Sequence, residues 1–121
     1  MKRVNDHIRQ GIFDRAGICE PRTFRGLEML RKTEWSREFE RLMRARLVMG
    51  ALRYGILNAP EKPEYDRMQA ISLHVTAYQR DGNMEHLVDI ANLSLCEFEE
   101  GTHPKRHFAP IDDGPHAARA E

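Results

Sequence analysis

The strongest helical pattern in the chain runs from Glu64 to Gly101 and reads EYDRMQAISLHVTAYQRDGNMEHLVDIANLSLCEFEEG. In its first half, large apolar residues recur at spacings of three and four, which is the period of one helix face. These residues are Met68, Ile71, Val75 and Tyr78. The spacing predicts a helix from about Glu64 to Arg80, with this stripe packed in the core.

The second half of this segment predicts another helix, from about Met84 to Glu100. Its broad apolar face comprises Leu87, Ile90, Ala91, Leu95 and Phe98. Between the two helices lies a tight turn, in which Gly82 stops the first helix and Asn83 caps the second. So short a turn predicts an antiparallel helical hairpin.

A third main helix is predicted upstream, from about Ser36 to Tyr54, and a loop over residues 56–63 joins it to the hairpin. Ser36 is a suitable N-cap, and Gly55 suits the position just after the last turn. The apolar stripe of this helix comprises Phe39, Met43, Leu47, Gly50 and Tyr54.

The chain ends have weaker patterns. We expect a turn of helix over Phe24–Lys32 and a short helix over Val4–Arg15, the latter within an N-terminal extension of residues 1–22. The tail, residues 102–121, contains three Pro and three His and should be irregular. The sequence therefore predicts one all-α domain over residues 1–121, an antiparallel helical bundle of three main helices with an irregular C-terminal tail.

Composition excludes several classes of function. Lys+Arg and Asp+Glu both number 19 in 121 residues, and this balance gives no reason for general attraction to nucleic acid or membrane surfaces. No apolar run approaches the ~20 residues that span a bilayer, and the N-terminus does not resemble a signal peptide. Cys19 and Cys96 lack metal-type spacing, so we expect two reduced thiols in a cytoplasmic protein, each a small buried hydrophobe.

The charges are unevenly distributed along the chain. Arginine dominates residues 22–53, whereas Asp and Glu gather in residues 85–100. This segregation suits helices that pair by charge, or a local anion site on a neutral protein.

Two arginines fall on the apolar side of the Ser36–Tyr54 helix. Arg46 and Arg53 are seven residues apart, so both project from the same side, about 10 Å apart along the axis. A buried guanidinium needs an anion. The two side chains are therefore candidates to bind phosphate or carboxylate; alternatively, each extends to solvent or pairs with carboxylates of the last helix.

Other polar side chains extend this candidate site. Asp89 and Asn92 lie mid-helix, where helix propensity gives little reason for them. They could form hydrogen bonds with a sugar or base, or pair with Arg46 and Arg53 of a neighbouring subunit. Tyr54 and Arg67 complete the helical candidates. In the tail, His and Asp residues together suggest a metal site, but their spacing matches no specific zinc signature. His103 and His107 could instead bind an anionic ligand. We predict no metal site and no catalytic residue.

Two leucines stand apart from the predicted core. Leu73 and Leu93 lie among polar residues on successive helices. Single surface leucines are common, but two on neighbouring helices hint at a second buried face and hence at a homo-oligomer.

Several sequence blocks resemble a group of small bacteriophage and prophage proteins. The longer blocks are Phe39-Glu40-Arg41-Leu42-Met43-Arg44, Met49-Gly50-Ala51-Leu52-Arg53-Tyr54-Gly55, Leu87-Val88-Asp89-Ile90-Ala91-Asn92-Leu93 and Glu97-Phe98-Glu99-Glu100-Gly101. The shorter ones are Tyr65-Asp66-Arg67, Gly82-Asn83, His103-Pro104 with His107-Phe108, and Asp112-Asp113-Gly114 with His116. The resemblance covers about two thirds of the chain. It implies a phage origin, and so the host cytoplasm, but no mechanism.

A further resemblance concerns the Asp89-Ile90-Ala91-Asn92 segment, which is similar to the second metal-binding helix of MazG-like all-α nucleoside triphosphate pyrophosphohydrolases. That family holds Mg²⁺ with Glu-x-x-Glu on one helix and Glu-x-x-Asp on the next. Here Glu85 lies four residues before Asp89, His86 takes the place of the expected acid, and no Glu-x-x-Glu is present among Glu34, Glu38 and Glu40. The departure argues against hydrolysis but is compatible with a nucleotide-shaped cleft.

Three functional hypotheses follow. The first is a phage anti-defence sponge, a homo-oligomer that sequesters a nucleotide immune signal such as a cyclic dinucleotide or an ADP-ribose derivative, with no cofactor. It is an analogy of size, phage setting and residue content. The second is a Mg²⁺-dependent MazG-like hydrolase using Glu38, Glu85 and Asp89. The third is a structural or protein-binding phage accessory protein whose arginines pair only with carboxylates.

Overall fold

The computed structural model describes residues 26–110, so the helix expected over Val4–Arg15, Cys19 and the end of the tail lie outside the described residues. The chain divides into two compact units. One unit is Ser36–Arg106, and the other comprises Met1–Trp35 and His107–Glu121. In the second unit, helix α1 spans Leu27–Thr33 and begins after Gly26. It matches most of the turn of helix expected over Phe24–Lys32.

Helix α2 spans Arg37–Tyr54 and confirms the predicted helix. The Ser36 Oγ accepts a hydrogen bond from the Phe39 N–H at 3.0 Å, which satisfies one of the free amides of the first turn. Gly55 ends the helix with a φ of 99°, a backbone conformation that glycine adopts without the steric cost of a Cβ.

Helix α3 spans Arg67–Asp81 and starts three residues later than predicted. The Asp66 carboxylate accepts a hydrogen bond from the Gln69 N–H at 3.0 Å, so Asp66 is the N-cap and the residues before it remain in the loop. This loop contains Asn58 and Glu61 at positive φ. The sequence prediction missed the boundary because an Asp cap was read as part of the first turn.

Helix α4 spans Glu85–Glu100. Gly82, at a φ of 69°, ends α3 in the left-handed conformation that the prediction required. The Asn83 side chain accepts a hydrogen bond from the Glu85 N–H at 3.0 Å, so it caps the new helix as expected, although Met84 is the formal N-cap.

In the Ser36–Arg106 unit, α4 packs against both α2 and α3. Along α2, Met43 contacts Asn92 and Arg46 contacts Asp89, so the two helices run in opposite directions. Contacts of Arg67 with Glu97 and of His74 with His86 show the same for α3. Four helices and no strand are present in residues 26–110. This part of the chain is thus all-α, with a small helical bundle centred on α4.

The packed faces differ in part from the predicted core. On α4, Val88 and Asn92 are the buried residues, whereas Phe98, expected in the core, is 66% exposed. On α3, Met68 and Val75 of the expected stripe are also exposed. The reason is that α2 and α3 approach α4 on its polar sides, where charged and imidazole groups find partners.

No helix within residues 26–110 combines the length and the apolar content that a membrane crossing requires. The described part of the tail, residues 101–110, contains neither helix nor strand, in agreement with the predicted irregular tail.

Candidate functional site

The two sides of α4 are held by different polar contacts. Towards α2, Arg46 donates to Asp89 through Nε at 3.2 Å and forms an ion pair with Glu85 at 2.8 Å. The hydrogen bond to Asp89 is the main reason that the pKa of Arg46 is raised. Arg46 therefore pairs with carboxylates of the last helix, which is one of the two roles its sequence position allowed.

Asn92 is buried between α2 and α4. Its Nδ2 donates to the Met43 carbonyl at 3.0 Å, while its Oδ1 has no hydrogen-bond partner among the described residues. A buried polar atom without a partner costs free energy. Both Asp89 and Asn92 thus contact α2 of their own chain.

Arg53 and Tyr54 lie at the exposed end of α2. Among the residues that the structure describes, Arg53 has no hydrogen-bond or ion-pair partner. Tyr54 packs edge-on against Tyr65, with ring centroids 5.4 Å apart. Arg46 and Arg53 therefore differ, since only Arg46 is neutralised by carboxylates.

Towards α3, a nearly buried carboxylate organises the end of α4. Glu100, whose side chain is 8% exposed, accepts hydrogen bonds from Lys62 at 2.9 Å and Arg67 at 2.8 Å. It also accepts one from the Asn58 N–H at 2.7 Å, and Arg67 bonds Glu97 at 3.0 Å. These contacts tie the α2–α3 loop and the start of α3 to the end of α4.

The pKa of Glu100 reflects two opposing effects. Burial acts to raise it, while the hydrogen bond from the Asn58 N–H and the interactions with Lys62 and Arg67 lower it, and the net pKa is below its ordinary value. Glu100 is therefore a charged, well-satisfied group, and it engages Arg67, which the sequence analysis had assigned to a ligand.

A cavity of about 440 Å³ lies beside this cluster. Its charged lining residues are Lys62, Glu64, Asp66, Arg67, Glu97 and Glu100. Four carboxylates therefore face two cations, so the lining carries a formal charge of 2 − 4 = −2. The volume is that of a small-molecule site, but the charge opposes an anion such as a triphosphate.

At the other end of the hairpin, two histidines meet. The Nδ1 atoms of His74 and His86 lie 2.9 Å apart, and the Nε2 of His86 is 3.5 Å from an Asp81 oxygen. Such a contact requires one ring to donate and the other to accept. Arg106, a residue that the sequence analysis missed, donates to the Gly101 carbonyl and to the Phe98 carbonyl at 2.6 Å, so it caps the end of α4.

The remaining candidates divide between the two compact units. The His103 Nδ1 accepts a hydrogen bond from the Lys105 N–H at 3.0 Å in the tail. His107 belongs to the other compact unit. No group of three or more His, Cys, Asp or Glu side chains suited to a metal ion occurs in residues 26–110. Glu38, a candidate ligand of the hydrolase hypothesis, instead pairs with Arg41 at 2.6 Å.

Exposed apolar side chains form a face on each of two helices, α2 and α4. On α4, the apolar side away from the residues that bond α2 and α3 carries Leu87, Ala91, Leu95 and Phe98, and the N-cap residue Met84 extends it. On α2, the side away from Met43 carries Ala45, Val48, Met49 and Leu52. Leu52 is 80% exposed, and several others are more than half exposed. We call these two sets the α4 outer face and the α2 outer face.

Comparison of the chain with protein-family models, with curated proteins and with solved structures finds no match.

Proposed function

We propose that this protein is a non-enzymatic protein-binding module, a phage-type accessory protein that binds its partner through the α2 and α4 outer faces. The observation that carries the proposal is the exposure of two apolar helix faces in a unit with almost no buried core. The setting suggested by the phage resemblance is the cytoplasm of an infected bacterium.

The polar contacts support a binding module over a nucleotide site. Arg46 and Arg67, two of the proposed anion ligands, already bond carboxylates of α4. A phosphate would have to displace these carboxylates, and the surrounding negative charge would oppose it.

The apolar faces support the same proposal. Soluble monomers rarely expose contiguous apolar patches larger than a few hundred Å², and patches above that size mark interaction sites. Within the described helices, Val88 is the one buried apolar residue, so burial of these faces by a partner would supply the hydrophobic stabilisation that the unit lacks.

Site-specific photo-cross-linking tests the proposal. A photoreactive phenylalanine analogue at Leu52 should cross-link to protein in producing cells, whereas the same group at Gln69, an exposed residue of α3, should not. In parallel, a nucleotide panel incubated with purified protein should remain free and unaltered. Retention of a nucleotide together with absence of protein adducts at Leu52 would contradict the proposal.

A second candidate, the nucleotide sponge, is supported by one observation. Tyr65 lines the cavity of about 440 Å³ and packs against Tyr54. The residue before Tyr54 in the sequence is Arg53, which has no ion-pair or hydrogen-bond partner among the described residues. A homo-oligomer holding a nucleotide-like signal there would use Arg53 for phosphate. Under this candidate, a nucleotide disappears from solution and returns intact on heating, and Arg53→Glu abolishes its retention without unfolding the protein.

A further inference from the structure

We propose that the outer faces bind a second copy of this chain, with α2 of one copy packed against α4 of the other about a two-fold axis parallel to the helices. This inference rests on the proposed function, because it names the partner of the same faces. The resulting core would be an antiparallel four-helix bundle made of two α2 and two α4 helices.

The positions of the outer faces allow this packing. At about 100° per residue, the centre of the α4 outer face lies roughly 140° around α4 from the side that contacts α3. On α2, Met49 lies about 90° from the side that contacts α4. Both outer faces therefore open on the side of the α2–α4 pair opposite α3, where a second α2–α4 pair can stack on them.

The charges of α2 and α4 favour the pairing of α2 in one copy with α4 in the other. Helix α2 carries five Arg and two Glu, a formal charge of 5 − 2 = +3, whereas α4 carries five acidic residues and no Lys or Arg, a formal charge of −5. Arg46, Lys62 and Arg67 already pair with carboxylates of α4, which leaves 3 − 1 = +2 on α2 and −5 + 3 = −2 on α4. Stacking α2 on α2 and α4 on α4 would bring like charges together. Stacking α2 on the α4 of a second copy brings opposite charges together, and so favours the proposed axis.

The same axis predicts which residues meet. Rotation about an axis parallel to the helices keeps every residue at its own height along the bundle. Arg46 contacts both Glu85 and Asp89, so it lies at the height of the residues between them. Met49, three residues further along an antiparallel helix, then lies at the height of Met84, both within one copy and between two copies.

Cysteine cross-linking tests this pairing. In a background with Cys19→Ser and Cys96→Ser, chains carrying Met49→Cys or Met84→Cys are oxidised alone and as a mixture. The proposed dimer places residue 49 of one copy near residue 84 of the other, so only the mixture should give a disulfide-linked dimer. Cross-linking of the Met49→Cys chain with itself would show α2 against α2 and overturn the proposal.

Sedimentation of charged variants locates the interface by a second route. Leu52→Asp and Phe98→Asp should each convert the dimer to a monomer, with affinity lowered at least about 100-fold. The matched control is Leu73→Asp, because Leu73 is 64% exposed but lies outside both outer faces, and it should leave the dimer intact. Dissociation by Leu73→Asp alone would overturn the proposal in favour of the Leu73 surface.

Two experimental outcomes distinguish a protein that does not dimerise from one that does not bind protein at all. A monomeric chain that still forms protein cross-links from Leu52 would overturn the second-copy inference and leave the binding module standing. A chain that retains nucleotides and forms no protein cross-links would overturn the binding module itself. Circular dichroism of each variant confirms that the helices remain folded.

Discussion

Helix α4 packs against α3 and α2 through polar side chains, but these side chains are paired more completely on the α3 side than on the α2 side. On the α3 side, a buried carboxylate receives hydrogen bonds from Lys62, Arg67 and the Asn58 amide, so its charge is matched. On the α2 side, Arg46 is 39% exposed and Asn92 leaves Oδ1 without a partner in the described part of the chain. The α3 side is thus closed and satisfied, whereas the α2 side borders open apolar faces.

This difference indicates that one side of α4 stabilises the fold and the other is available for binding. A closed polar cluster fixes the hairpin and loop without help from other molecules, because each buried charge has a counter-charge. The apolar faces next to α2 have no such completion within residues 36–106 and remain available to a partner. We therefore expect changes on the α3 side to alter folding, and changes on the α2 side to alter mainly association.

The largest effect is expected at the closed side. Glu100→Gln removes the counter-charge of Lys62 and Arg67, whose side chains are nearly buried, and should lower the free energy of unfolding by about 3 kcal/mol. Urea denaturation followed by circular dichroism measures this change. The matched control is Glu99→Gln, because Glu99 is exposed and its loss should change stability by less than about 0.5 kcal/mol. Equal effects of both variants would show that the cluster contributes nothing specific.

The second prediction concerns pH at the same residue. The folded pKa of Glu100 lies below its ordinary value of 4.5, so the carboxylate binds protons less readily in the folded protein than in the unfolded one. Its contribution is complete above about pH 4.5 and is lost as pH falls through the lower folded pKa. The stability gap between wild type and Glu100→Gln should stay constant from about pH 7 to 5 and narrow below about pH 4.5. A gap independent of pH down to about 3 would contradict this assignment.

Much of the fold was predictable from local chemistry. The Ser36 cap, Gly55 and the Gly82 turn determined three helix ends, because capping and left-handed glycines act within a few residues. The predicted start of α3 was less accurate, because the sequence allowed Asp66 either in the first turn of the helix or as its N-cap. The prediction that Leu87 and Phe98 lie in the core was wrong. Hydrophobicity alone does not reveal that α2 and α3 contact α4 through polar groups.

The candidate site was less predictable. Helical spacing was enough to select Arg46, Arg67 and Asp89, but their partners depend on which helices meet and at what height. The partner of Arg67 could have been predicted from the hairpin, because residues equally distant from the turn at Gly82 lie opposite each other and residue 67 then faces residue 97. The roles of Lys62 and Glu100 had no local signal, since a loop residue and a helix end lie 38 positions apart.

A smaller effect is expected on the α2 side. Arg46→Met removes a partly exposed ion pair with Asp89 and Glu85 and should lower the free energy of unfolding by at most about 1 kcal/mol. Arg53→Met is the matched control, because Arg53 has no partner within residues 26–110 and its loss should be nearly neutral. Both values come from urea denaturation at low protein concentration. A loss at Arg46 comparable with that of Glu100→Gln would remove the proposed contrast between the two sides.

The smallest change is expected at Asn92, and its direction distinguishes the two sides of α4 most sharply. Asn92→Leu removes one hydrogen bond to the Met43 carbonyl together with an unpaired buried oxygen, and these two effects oppose each other. The free energy of unfolding should therefore change by less than about 1 kcal/mol. Asn92→Asp should instead destabilise the protein at pH 7, because it buries a charge one turn from Asp89. A large loss in Asn92→Leu would mean that Oδ1 has a partner, and that the α2 side is as well satisfied as the α3 side.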